Sequence, residues 1–350
     1  MTNPGTIETP PVVRVGVIGA GWPGERHADG YVVAPGCRLV AIADANAERA
    51  TAFAAHYGKL QEGLTLKIYA DYPALLADPE IDAVSVALPN FLHHPATLAA
   101  LEAGKHVLCE KPPALNASQA REMAELAART DRLLAFAFQR RFSPAVEALH
   151  EVIASGELGE IYHARAVWTR AWGVPKGIGG WFTDPARAGG GALIDIGVHV
   201  LDMAWFLMGC PAPATVSGQV FNKFPQETKT DDSAFALVRF ADGRSLHLET
   251  SWVLAQDEDH YGVHLYGTKG GARVDDNRID LYTVGEEGRT ARSRFIRAGW
   301  QQAFLKQSAN FVGAVRGEAQ LRTPAAHGVQ IMAMIDGIYR SAAEGHEVVM

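Results

Sequence analysis

The chain has 350 residues, 48% of them hydrophobic and 20% charged, with a formal net charge of -7 and a pI of about 6.0. That balance belongs to a globular protein with room for two domains, and it argues against a surface built for nucleic acid or an anionic membrane. No apolar run reads as a bilayer span, the start MTNPGTIETPP lacks the pattern of a secretory signal, and Cys37, Cys109 and Cys210 read as free thiols of a reducing cytoplasm.

Residues 1–10 are expected to form a loose tail. The run VVRVGVI at residues 12–18 predicts a strand ending at a glycine cluster, and a second strand at 38–43 ends at Asp44. A helix over 47–57 follows, then strands at 66–69, 83–88 and 106–109, a helix over 95–103, a helix over 118–129 and a strand at 133–138. Strands alternating with helices imply βαβ units and a parallel sheet, so residues 11–138 are assigned to an α/β domain.

Beyond Phe138 the texture changes. A helix over 144–155 and a strand at 161–169 precede an apolar helix that begins in GGGALIDIGVHVLD, residues 189–202. Strands are then expected at 215–221, 232–240, 244–252, 262–267, 272–274 and 279–282, with Ala241-Asp242-Gly243 as a hairpin turn. Helices over 301–316 and 327–344 close an α+β domain spanning 139–350, with an antiparallel sheet covered by helices on one face.

Gly19-Ala20-Gly21-Trp22-Pro23-Gly24 is G-x-G-x-x-G placed after a strand and before a helix. The first glycine permits a tight turn, the second lets backbone approach a pyrophosphate, and the third allows close helix–strand packing. Asp44 lies twenty residues past Gly24, suited to the adenosine ribose hydroxyls. No arginine stands beside it in sequence, so NAD is favoured over NADP. Pro23 suits the first turn of the helix.

Leu88-Pro89-Asn90-Phe91-Leu92-His93-His94 ends one strand, where ligands of open α/β sheets sit. Pro89 and Asn90 are candidate contacts to the nicotinamide ribose, and His93 is either a cofactor contact or a capping residue. Glu110 and Lys111 end the next strand. Either the strand simply emerges into solvent there, or Lys111 stands at the cofactor cleft beside a substrate hydroxyl, able to stabilise alkoxide charge.

In the apolar helix, Asp195, His199 and Asp202 fall within about 60° of one another at 100° per residue. Buried unpaired, they would cost several kcal/mol. Three readings are open: a structural network, a metal site, or an acid/base dyad in which Asp195 orients His199. No further ligand cluster supports a metal, and none is assigned.

GAGWPG, PNFLHH, AGKHVLCEKP, QRRFSPA, GGGALIDIGVHVLD and GTKGGARV, in this order, resemble the Gfo/Idh/MocA oxidoreductases over nearly the whole chain. The resemblance implies a Rossmann domain binding NAD or NADP and a second domain with a large open, mostly antiparallel sheet that serves dimer or tetramer contacts. It implies oxidation of a secondary alcohol on a sugar, inositol or related polyol, with Lys111, Asp195 and His199 catalytic and Asp202 behind them. Arg141, Trp168, Arg170, Trp172 and Trp181 are candidate substrate contacts, since sugar sites favour aromatic platforms and polar forks. An NAD-dependent glycoside hydrolase, an aryl-diol dehydrogenase and a non-catalytic regulator sensing a dinucleotide or sugar are the alternatives on the same scaffold.

Overall fold

The computed structural model describes residues 12–61, 63–175, 180–285, 288–296 and 300–350; the tail expected over residues 1–10 lies outside them. The first half alternates as predicted: β1 (Val13–Ile18), α1 (Trp22–Val33), β2 (Cys37–Ala43), α2 (Ala47–Leu60), β3 (Lys67–Tyr69), α3 (Tyr72–Leu76), β4 (Ala83–Val86), α4 (Asn90–Glu102), β5 (His106–Cys109), α5 (Ala117–Thr130) and β6 (Leu134–Phe136). These six strands form a parallel sheet in the order β3-β2-β1-β4-β5-β6. Helices cover both faces, so β4 is buried along its whole length and reads as an unbroken small or apolar run. The order reverses between β1 and β4, which opens a crevice at the carboxyl ends of those strands.

The second half contains α6 (Pro144–Ala154), β7 (Ile161–Thr169), α7 (Pro185–Ala188), α8 (Val198–Leu207), β8 (Pro213–Phe221), β9 (Ser233–Phe240), β10 (Ser245–Ser251), β11 (His260–Gly267), β12 (Gly270–Val274), β13 (Arg278–Gly285), β14 (Gly288–Phe295), α9 (Gln301–Val315), α10 (Ala325–Glu344) and β15 (Val348–Val349). Its nine-stranded sheet runs β14-β13-β12-β11-β7-β10-β9-β8-β15. Pairing is antiparallel except between β7 and β10. One face presents Ala164, Ala166, Leu248, Val263 and Leu265, all buried, to α8, while α10 covers β8. The other carries a polar cross-strand row, His247–Arg165–His264–Arg273.

The apolar helix is the centre of that core. The stretch Pro185–Leu207 is long and apolar enough to cross a membrane, which the sequence reading did not register, but 89% of its most apolar 18-residue window is buried inside the protein. It is therefore placed as a core helix. The last helices return to the first domain. α9 packs on α1 so closely that a Cβ on Gly30 would meet Ser308 Oγ at 2.4 Å, and α10 packs on α5.

Some local expectations differ. α4 begins at Asn90, with Pro95 inside it, because the chain turns helical directly at the strand end. The short α3 was not anticipated, nor was β14, whose residues are exposed throughout and carry no apolar alternation.

Candidate active site

The crevice beside β1 and β4 is the mouth of a cleft of about 850 Å³ that runs on to the second domain. Its first wall is the glycine turn. Gly19 has φ +103, and a Cβ there would lie 2.2 Å from the Ala87 carbonyl oxygen. A Cβ on Gly24 would lie 1.9 Å from Gly19 O, so that glycine serves helix–strand contact and does not line the cleft. Around Gly21 the space is open, with only Pro23 Cδ within reach at 3.8 Å. Gly21 is also the extended residue ahead of α1, whose first N–H groups are left for an anion. These residues fit a dinucleotide pyrophosphate.

Asp44 lies where the ribose would sit. Its carboxylate accepts from the N–H of Ala20 at 2.8 Å and Asn46 at 2.8 Å. Arg49, one turn into α2, also donates to it at 2.9 Å and lines the cleft. Sequence adjacency gave no sign of this arginine; the helical turn brings it back.

Pro89, Asn90, Glu110 and Lys111 line the middle of the cleft. Asn90 Nδ2 donates to Ala188 O at 2.8 Å. His93 does not line it. Its ring nitrogens each lie 2.7 Å from a carbonyl oxygen, those of Pro112 and Leu88, so it ties together the two loops that carry Lys111 and Asn90. Glu110 faces inward to His27 Nε2 at 3.0 Å, and its other oxygen accepts the Lys111 backbone N–H at 2.9 Å. His27 and Tyr31 both meet Ser85 Oγ, at 2.9 and 2.6 Å. Burial alone would raise the Glu110 carboxyl, but the His27 hydrogen bond and charge and the Lys111 ammonium outweigh it and hold it below the usual range. Nothing in the sequence marked His27, Tyr31 or Ser85 as support for this loop; each comes from a different element.

Lys111, Asp195 and His199 meet at the far end, but not as the predicted dyad. Lys111 Nζ lies 3.2 Å from both Asp195 O and Asp195 Oδ1, and Asp195 Oδ2 accepts from Trp252 Nε1 at 3.1 Å. His199 Nδ1 is sealed from solvent and has no hydrogen-bond partner. Asp195 therefore orients Lys111 rather than His199. The cause is a π-helical turn over Leu193–Gly197 ahead of α8, which takes more residues per turn and so narrows the angular step that a regular α-helix would have given. The Asp231 carboxylate fastens the start of that turn by accepting from Gly191 and Leu193 N–H at 2.6 and 2.9 Å.

His199 packs against Trp168, ring centroids 5.5 Å apart. Burial, then the charges of Lys111, Arg140 and Arg170, push its pKa well below the ordinary histidine value. It is neutral at pH 7, as a proton acceptor must be. Trp168, Arg170 and Trp181 line the cleft, joined by Gln139 and Arg140 of the QRRFSPA stretch and by Phe182 and Phe304, which no motif had singled out; Phe304 packs on Trp22 of the glycine turn.

Two predicted substrate contacts are placed elsewhere. Trp172 is 59% exposed and packs edge-on against Phe224, away from the cleft. Arg141 is fully buried. Its Nε lies 3.0 Å from Asp202 Oδ2, its Nη2 2.5 Å from Asp202 Oδ1, and its Nη1 donates to Arg322 O and His327 Nδ1. Asp202 thus turns to Arg141 and not to the cleft. His327 must stay neutral to accept from Arg141. Burial and the Arg141 charge push it down to about 4. A lowered native pKa means that its contribution to stability is present above the unfolded value and lost as pH falls toward 4. We expect on the order of 2 kcal/mol of stability to disappear between pH 7 and pH 4 through this group, allowing for its partial exposure. Urea unfolding across that range checks it, and His327→Asn should flatten the slope.

Among the described residues, no group of three or more His, Cys, Asp or Glu side chains is placed to hold a metal ion.

A dinucleotide turn opening onto a lysine and a neutral histidine defines a nicotinamide-dependent oxidoreductase. Residues 13–138 match the oxidoreductase family with an NAD-binding Rossmann fold, and residues 146–273 match the GFO/IDH/MocA C-terminal domain. The chain belongs to the Gfo/Idh/MocA oxidoreductases and is a dehydrogenase acting on CH–OH groups. It is 34% identical to the D-glucoside 3-dehydrogenase of Escherichia coli, over 96% of this chain and 97% of that one. It is 28% identical to the inositol 2-dehydrogenase of Rhizobium meliloti, over 96% and 98%. Among solved structures it superposes on a levoglucosan dehydrogenase in complex with NADH and levoglucosan with a TM-score of 0.87, at 26% identity, covering 96% of this chain and 99% of that one.

Proposed function

We propose that this protein oxidises a ring secondary hydroxyl of a sugar or glycoside with NAD. The observation that carries this reading is the meeting of Lys111 Nζ and the neutral His199 at the end of the dinucleotide cleft, with Trp168 and Trp181 beside them. NAD would lie along Gly19, Gly21, Trp22, Pro23 and Asp44, and supplies the hydride acceptor. His199 accepts the proton of the substrate hydroxyl. Lys111, held by Asp195, donates to the same oxygen and stabilises its developing negative charge. Trp252 holds the second oxygen of Asp195, so the lysine is aimed before substrate arrives. Relatives named as dehydrogenases of glucosides, levoglucosan and inositol support net oxidation over the hydrolase and sensor readings. A panel of glycosides, aldoses and inositols with NAD, read as absorbance of the reduced cofactor, tests the reading. Bound NAD without turnover of any of them would defeat it.

The preference for NAD rests on Asp44. Asp44→Ala removes a charge that repels a 2′-phosphate and releases Arg49 to pair with one. The NADPH-to-NADH affinity ratio, read by fluorescence titration, is expected to rise on the order of tenfold, and Asp44→Ala/Arg49→Ala should lose the gain. The polar face of the nine-stranded sheet is the surface proposed for a homodimer or homotetramer.

A further inference from the structure

Nearly every charged side chain lining the cleft has an opposite charge beside it. Asp44 faces Arg49, Lys111 faces Asp195, Arg140 faces Asp276, and Glu110 accepts from the Lys111 backbone with the Lys111 ammonium nearby. Arg170, just past the end of β7, is different. It has no carboxylate partner among the described residues. Its Nη1 donates to Gly173 O at 3.0 Å, and its guanidinium lies 5.8 Å from the centroid of Trp168. A guanidinium offers five N–H donors in a rigid fork. Nε and Nη2 have no acceptor among the described residues, yet they are not sealed from solvent.

The position narrows what the free fork is for. The dinucleotide pyrophosphate is accounted for at the opposite wall, by the glycine turn and the start of α1. Arg170 stands with Trp168, the ring that packs on His199, and so at the substrate end. Filling this cleft with a neutral sugar strips water from a cation, a cost that a bidentate hydrogen-bonded anion offsets better than hydroxyls do. Holding the 171–173 loop occupies one donor and leaves the rest of the fork unexplained.

We propose that Arg170 reads an acidic substituent, a carboxylate or a phosphate, on the sugar. The proposal rests on the sugar-dehydrogenase reading for the identity of the scaffold that carries the acid. It has a consequence for the base as well. An acid bound at Arg170 cancels one of the charges that depress His199, so the base strengthens when the right substrate is in place.

The test is calorimetric binding to the NADH-loaded protein of methyl β-D-glucuronide, glucose 6-phosphate and methyl β-D-glucoside. At least one acidic sugar should bind on the order of tenfold or more tighter than the neutral glycoside, with the preference weakening as salt rises. The carboxylate and phosphate arms tell the two acids apart. Arg170→Met should erase the preference and Arg170→Lys should keep part of it, with NADH binding confirming that both variants are folded. Equal or weaker binding of both acids, or a preference unchanged in Arg170→Met, overturns the proposal. Turnover of the same sugars with NAD is scored separately. An acid preference without turnover overturns the proposed sugar oxidation alone, and turnover without an acid preference overturns the anion site alone.

Discussion

Lys111→Ala is expected to lower turnover by at least about a hundredfold while NAD affinity stays within a few fold. The lysine side chain is only 18% exposed, and its ammonium is held by two oxygens of Asp195 at 3.2 Å each. It is therefore pre-aimed at whatever oxygen occupies the end of the cleft. Removing it deprives the alkoxide of its cation without touching the glycine turn or Asp44. His199→Ala should cost a similar factor for a different reason, since it removes the proton acceptor. The two are separable by pH. His199 works only when neutral, so kcat/KM falls as pH drops through its pKa. Because burial and three neighbouring cations depress that pKa, the fall lies well below the ordinary histidine range. Lys111→Ala removes one of those cations, so the residual activity should show this acid limb moved upward in pH. Near-normal turnover in either variant would sink the role given to that residue. Asp195→Asn should behave as a weaker Lys111 variant, and a histidine-like change in its pH profile would restore the dyad.

The second large effect concerns stability. Asp202→Ala is expected to cost about 3–5 kcal/mol, because it strands a guanidinium that is fully buried. The remaining partners of Arg141, the Arg322 carbonyl and His327, are neutral and cannot replace the lost charge. Replacing both members, as Arg141→Met with Asp202→Leu, should cost much less than the sum of the single changes, since no unpaired charge is left inside. Urea denaturation of the single and double variants forms the cycle. A loss below about 1 kcal/mol in Asp202→Ala would mean that Arg141 finds water or another anion, and the pair would not be the anchor described. Its position explains the expectation. Arg141 lies just after β6, Asp202 lies on α8 and His327 on α10, so the pair fastens the joint between the domains.

Much of the site was legible before folding. GAGWPG with Asp44 predicted the cofactor wall, since backbone geometry at three glycines and one carboxylate are local requirements. Lys111 was placed by its position at a strand end, which in an open parallel sheet is a place in space as well as in sequence. His199 was found because an imidazole on an otherwise apolar helix demands an explanation. The partner of Asp195 was not legible, because an angular argument assumes a regular helix and the π-helical turn breaks that assumption. Arg141 and Trp172 were misplaced for a related reason. Composition identifies side chains suited to a sugar, but one of these fills a buried ion pair and the other packs on the outside. β14 escaped because an edge strand exposed throughout has no reason to alternate.

By itself, then, the sequence determined the class of each domain, the cofactor turn, and which residues are proposed to carry the reactive chemistry. Those features depend on local backbone geometry and on the burial pattern of single elements, both of which are written along the chain. Only the tertiary structure decided who pairs with whom: Asp195 with Lys111, Asp202 with Arg141, Arg49 with Asp44, Glu110 with His27, and Arg170 with no carboxylate among the described residues. Charge pairing falls off over a few ångströms and is indifferent to sequence distance. It is settled by the packing of elements that lie as much as 84 residues apart, as Lys111 and Asp195 do.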